Sequence, residues 1–170
     1  MIAGVTLNIF NNHSDRVRMA NLAQTVNVLQ AVILTKGEKL ILTPTYHVME
    51  MYNVHQDATL IPVDVKSNDY TFGKSKLAAV TASASKDKSG VTHISLVNID
   101  AHKAQEITLN TKDAYRSVSG RILTAAKLQD HNSFDEPNKI QPAAFNGASV
   151  KNNTVTVKLP PFSVVVLELK

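Results

Sequence analysis

From about residue 59 the chain is written in a period of two, and this alternation narrows the fold more than any other feature. Ala78, Val80, Ala82 and Ala84 fall on one side of an extended segment, with Thr81, Ser83 and Ser85 on the other. Thr59, Ile61, Val63 and Val65 alternate in the same way with Leu60, Pro62, Asp64 and Lys66. Successive side chains of an extended backbone point to opposite faces, so a period of two predicts half-buried strands. Further strands are expected over residues 91–99, 105–110, 115–123, 154–159 and 163–169, bounded by turn formers such as Lys88-Ser89-Gly90 and Asn146-Gly147. Val, Thr and Ile number 19, 14 and 10 of the 170 residues, a weighting that favours β-structure. With no helix between the strands, the expected fold is mainly β: an antiparallel, jelly-roll-like β-sandwich over residues 57–170.

The first 56 residues follow another rule. Ile2, Val5, Ile9 and Phe10 recur at helical spacing, and the turn formers Asn11-Asn12-His13-Ser14-Asp15 should end that helix. Val17–Ala23 reads as a short buried strand. Thr43-Pro44 supplies an N-cap followed by proline at the first helical position, and Val48, Met51, Tyr52 and His55 continue at helical spacing. Helix, strand, loop and helix make one unit of a βα-repeat whose single strand has nothing to pair with. The unit is therefore expected to be the tail of a larger α/β domain, residues 1–56, with a small α+β cap on the sandwich as the alternative.

Composition excludes several chemistries. There is no Cys, hence no disulfide, thiol nucleophile or cysteine zinc site. The net charge of +4 is scattered and only four Arg occur, without the basic and aromatic interleaving on which bases stack, so no nucleic-acid partner is expected. No apolar run is long enough to span a membrane. No phosphate-binding glycine loop or Gly-x-Ser-x-Gly elbow is present, and no cofactor is expected. His47 and Glu50 lie three apart on a helix without the second His of a zinc motif. His131, Asp135 and Glu136 could hold a cation but read better as a turn-rich loop, so no metal site is assigned. Of the five Glu, Glu106 and Glu168 are expected to face solvent on separate strands, and no pair suggests an acid and a nucleophile about 5–9 Å apart. On residues alone the chain holds no complete active site.

Two stretches nevertheless carry a family pattern. Val17-Arg18-Met19-Ala20-Asn21-Leu22-Ala23-Gln24-Thr25-Val26-Asn27-Val28, followed by Leu42-Thr43-Pro44-Thr45-Tyr46, resembles the end of the catalytic barrel in α-L-arabinofuranosidases of glycoside hydrolase family 51. Gly120-Arg121-Ile122-Leu123-Thr124, His131-Asn132-Ser133-Phe134-Asp135 and the closing Leu159-Pro160-Pro161-Phe162-Ser163-Val164-Val165-Val166-Leu167 are similar to that family's C-terminal β-sandwich. The resemblance implies that Met1–Asn12, Val17–Ala23 and Thr43–His55 are the seventh helix, eighth strand and eighth helix of a (β/α)8 barrel. Active sites of such barrels lie at the C-terminal ends of the strands. Gln24 matches the Gln of the family's Ala-Gln-x-Val-Asn motif, which contacts the arabinofuranosyl unit. Gln24 is therefore the candidate substrate-binding residue, and Asn27 of the same motif is read as structural.

The family is retaining and uses two Glu, one of them preceded by Asn, on earlier barrel strands. This sequence has no Asn-Glu dipeptide. The resemblance thus implies a C-terminal fragment of an arabinofuranosidase, with no catalytic residue of its own, inactive alone, and partnered by a missing barrel and an arabinose-containing carbohydrate. A stand-alone carbohydrate-binding or structural sandwich is the alternative. It would need aromatic platforms, and the chain has nine aromatic residues and no Trp.

Overall fold

A computed structural model describes every residue except Asn152. Two helices, α1 (Ile2–Asn12) and α2 (Pro44–Tyr52), flank a hairpin of β1 (Ile33–Lys36) and β2 (Lys39–Leu42). A single 3-10 turn, Asn53–His55, follows α2. The β-region runs β3 (Thr59–Ile61), β4 (Asp69–Phe72), β5 (Ser75–Ala78), β6 (Val80–Lys86), β7 (Thr92–Asn98), β8 (Gln105–Asn110), β9 (Val118–Leu123), β10 (Ala143–Ala144), β11 (Ala148–Lys151), β12 (Thr154–Leu159) and β13 (Ser163–Leu169).

The strands form a six-stranded sheet ordered β10-β9-β13-β7-β6-β3 facing a three-stranded sheet ordered β11-β12-β8, and the strand pairs are antiparallel. The expected sandwich is present. Val80, Ala82, Leu96, Val165 and Leu167 of the larger sheet meet Ile107, Val155, Val157 and Leu159 of the smaller one in the main core. Register explains the match: Val165 stands between Leu96 and Ile122, so three apolar side chains line one row. The other face of the larger sheet is covered too, since Val97, Leu123, Val164 and Val166 pack against Val48, Met51 and Tyr52 of α2. β7 and β13 are thus buried on both faces, which is why Val164-Val165-Val166-Leu167 is a continuous apolar run rather than an alternating one.

Three expectations are corrected. Val17–Ala23 forms no strand; it runs irregularly, with Arg18, Met19, Asn21 and Ala23 exposed. A lone parallel strand has no neighbours to bond with, so the segment has no ladder to join. The stretch read as a loop before α2 instead holds the β1–β2 hairpin, turned at Gly37 with φ +58°. Finally, α1 has the expected bounds but not the expected face. Ile2 and Ile9 are exposed, while Gly4 and Asn8 are buried against the sheet. The reason lies on β6, whose outer side chains are Thr81, Ser83 and Ser85; a hydroxyl-lined strand is better met by an amide than by isoleucine. A Cβ on Gly4 would stand 2.9 Å from Val97 Cγ2, so only glycine allows this approach.

Candidate functional site

After α1 the chain passes through Ala20 and Leu22 to Gln24, an exposed residue with φ +57°. Left-handed backbone is uncommon outside glycine, yet Asn27 (φ +55°) and Gln30 (φ +68°) adopt it within the next six positions. Val26 forms a parallel bridge with Ile33. It is closed by Ile33 N–H donating to the Thr25 carbonyl and Asn27 N–H donating to the Ile33 carbonyl, both at 3.1 Å. The Asn27 side chain adds a second fastening: its Nδ2 donates to Thr35 Oγ1 at 2.8 Å and its Oδ1 accepts from Thr35 N–H at 2.7 Å. The expectation that Asn27 is structural agrees with these bonds.

The hairpin beyond is tied to the sandwich. Asn132, buried in the long loop after β9, donates to the Leu42 carbonyl at 2.8 Å and exchanges bonds with Ile140 at 2.9 and 2.7 Å. Thr43 N–H donates to the Val32 carbonyl at 3.0 Å, and Thr43 Oγ1 accepts from Tyr46 N–H as the N-cap of α2.

Between α1, α2 and the Ala20–Leu22 segment opens a groove of about 640 Å³, lined mainly by apolar residues including Met1, Leu7, Phe10, Leu22, Val48 and Met49. Met19 (74% exposed) and Leu29 (91%) stand free on the same part of the chain, as does Val26. Of the apolar residues in this segment, Ala31 and Val32 are buried. An apolar groove with exposed apolar residues on the neighbouring chain segment is surface of the kind on which another body can pack.

Beneath the helices lies a buried polar layer. Asn8 Nδ2 donates to Thr81 Oγ1 at 3.1 Å, while its Oδ1 accepts from Ser83 and from the Tyr52 hydroxyl, each at 2.9 Å. Asn11 and Asn12 add bonds to Ser83 and to the Ala82 carbonyl. Burial pushes the Tyr52 phenol well above its ordinary value. His55 bridges Ser85 at 2.7 Å and Ser95 at 2.6 Å through its two ring nitrogens. Desolvation, helped by nearby His93, lowers its pKa to about 4. His93 Nε2 meets Asp87 Oδ2 at 3.0 Å, a bond that with Ser89 holds the Asp87 carboxyl far below the usual range.

The remaining polar candidates serve structure. Glu50 is held by Arg121, and burial lowers the His47 pKa despite Glu50 beside it. His131 Nδ1 donates to the Gln129 carbonyl at 3.0 Å, and Glu136 pairs with Lys139. Glu106 and Glu168 lie on different sheets, opposite Lys158 and beside Lys170. Among the described residues no group of three His, Asp or Glu side chains converges as a metal site, and no helix is long and apolar enough to cross a membrane. The sequence reading passed over the asparagine face of α1, although Asn8, Asn11 and Asn12 at spacings of three and four opposite a Ser/Thr strand carried the signal.

Comparison with known proteins places these features. A family model described as the α-L-arabinofuranosidase C-terminal domain matches residues 1–163. An intracellular exo-α-L-arabinofuranosidase of Bacteroides ovatus is 48% identical over 99% of this chain, which spans only 33% of that protein. An intracellular exo-α-(1→5)-L-arabinofuranosidase of Bacillus subtilis is 24% identical over the whole chain and is covered to 34%. The crystal structure of the GH51 arabinofuranosidase of Xanthomonas axonopodis pv. citri superposes with a TM-score of 0.97 at 44% identity, over 99% of this chain and 34% of that one. The chain thus spans about a third of the length of its curated relatives.

Proposed function

This chain belongs to the α-L-arabinofuranosidase C-terminal domain family and corresponds to the C-terminal region of GH51 enzymes, and from that membership we propose that it works as part of a retaining exo-arabinofuranosidase. Residues 1–56 complete a catalytic barrel and residues 57–170 form the sandwich that buttresses it. The substrate is a carbohydrate bearing terminal arabinofuranosyl units, and Gln24 contacts that unit at the barrel rim. The acid/base and nucleophile come from the preceding barrel, since one amide cannot replace two carboxylates.

The observation that carries this reading is the 48% identity sustained over 99% of the chain against a relative three times as long. The surface supports it. Ile2 and Ile9 on α1, Met19 and Leu29 on the irregular segment after it, and the apolar groove between the helices are exposed where a barrel would cover them. An amide at the rim can both donate to and accept from sugar hydroxyls.

The test is a chimera in which this chain replaces the corresponding third of the Bacteroides ovatus enzyme. Hydrolysis of a chromogenic α-L-arabinofuranoside is expected. Gln24→Ala should lower kcat/KM about tenfold, the scale of one lost substrate hydrogen bond. A folded chimera with no turnover, or one indifferent to Gln24, contradicts the reading.

A further inference from the structure

Gln24 can serve a sugar only if its backbone is held at one angle, and its own surroundings do not hold it. It is exposed, it lies at φ +57°, and the residues before it form no ladder. What fixes it lies just downstream. Thr25, its neighbour, is bonded through its carbonyl to Ile33 N–H, and Asn27 N–H closes the other side of the same bridge. One parallel bridge on an exposed loop is a weak restraint, open to water on both flanks. The Asn27 side chain reinforces it two residues farther along β1, gripping both the backbone N–H and the hydroxyl of Thr35. β1 is in turn anchored by β2, whose last carbonyl, on Leu42, is held by the buried Asn132 of the sandwich.

We infer that Asn27 is a positioning residue for arabinofuranosyl recognition, locking the 24–35 loop to β1 so that Gln24 presents its amide in the productive orientation. The inference rests on the reading of Gln24 given above. Asparagine suits the task twice over: it tolerates the left-handed backbone at φ +55°, and its amide offers one donor and one acceptor in the pattern Thr35 presents. Glycine would keep the first property and lose the second. Aspartate would keep both contacts, because Thr35 Oγ1–H can turn from accepting to donating.

These substitutions separate the roles in the active chimera. Asn27→Gly should lower kcat/KM about three- to tenfold and change the same parameter, kcat or KM, that Gln24→Ala changes. Asn27→Asp should restore at least half of the loss, and Thr35→Val, which cuts the hydroxyl contact alone, should lie between. In the Gln24→Ala background, Asn27→Gly should cost less than about twofold, since the residue it positions is already gone. If Gln24→Ala lowers activity but Asn27→Gly does not, or if the two losses multiply fully in the double variant, Asn27 does not act through Gln24. If Gln24→Ala itself is silent, the Gln24 reading fails, and the role inferred for Asn27 falls with it.

Discussion

Arg121 on β9 grips Glu50 on α2 through two parallel bonds, Nη1 to Oε1 at 2.8 Å and Nη2 to Oε2 at 2.9 Å. The pair joins the sandwich to the helix that covers it, and it adds a charged link to the neutral side-chain bonds, Asn132–Leu42 and Asn8–Thr81 among them, that fasten the first 56 residues to the β-region. Charged, bidentate pairing raises the Arg121 pKa, with the hydrogen bond to Glu50 the leading cause.

Because both partners keep solvent contact, this link is expected to be modest. Arg121→Ala should destabilise the chain by about 0.5–1 kcal/mol in urea unfolding, and most of that loss should vanish in 1 M salt.

The buried amide should matter more. Asn8→Ala leaves Thr81, Ser83 and Tyr52 each short of a partner. Its expected cost is about 2–4 kcal/mol, against about 1 kcal/mol for Tyr52→Phe, which spares the Asn8–Ser83 bond. Unfolding midpoints of the two variants test this ordering.

His55 makes stability depend on pH. Its folded pKa, about 4, lies below the ordinary value of 6.5, so between those limits the unfolded chain binds the extra proton. Stability is therefore expected to be unaffected by His55 above pH 6.5, to fall by about 2–3 kcal/mol as pH drops towards 4, and to level off below. Asp87, held low by His93, adds a separate loss as pH falls below 3.8, the ordinary carboxylate value. His55→Gln should flatten the upper window while leaving the lower one, as urea titrations across about pH 2–7 would show.

The exposed apolar residues separate folding from assembly. Met19→Lys with Leu29→Lys alters side chains that are 74% and 91% exposed. Stability of the chain should change by less than about 0.5 kcal/mol per site, while activity of the chimera falls through poor packing against the barrel. Denaturation of the chain and turnover of the chimera, measured side by side, check both halves.

Much of this architecture was legible because it is local. Thr43-Pro44 announced α2, and the alternation in residues 80–84 announced β6, through rules that need no distant partner. What was not legible depends on company. Ser83 and Ser85 look like a solvent face in sequence and are buried, Ser83 under Asn8 and Asn11 of α1 and Ser85 against His55 of the 3-10 turn. Ile2 and Ile9 look like a core stripe and stand exposed, because the sheet offers hydroxyls where they would need an apolar surface. Val17–Ala23 has strand-like composition but no strand to join. The β1–β2 hairpin was within reach, since Ile33-Leu34-Thr35 and Leu40-Ile41-Leu42 flank a Gly37-Glu38 turn. Gln24 is legible only through its motif; nothing in its exposed surroundings marks it.

The most direct measurement mixes the purified 170-residue chain with the separately purified N-terminal two-thirds of the Bacteroides ovatus enzyme and follows hydrolysis of a chromogenic α-L-arabinofuranoside. The account predicts no turnover from the chain alone and turnover that rises with chain concentration once the barrel portion is present. Turnover that tracks the pure chain by itself would contradict it, and would place an acid and a nucleophile among these residues.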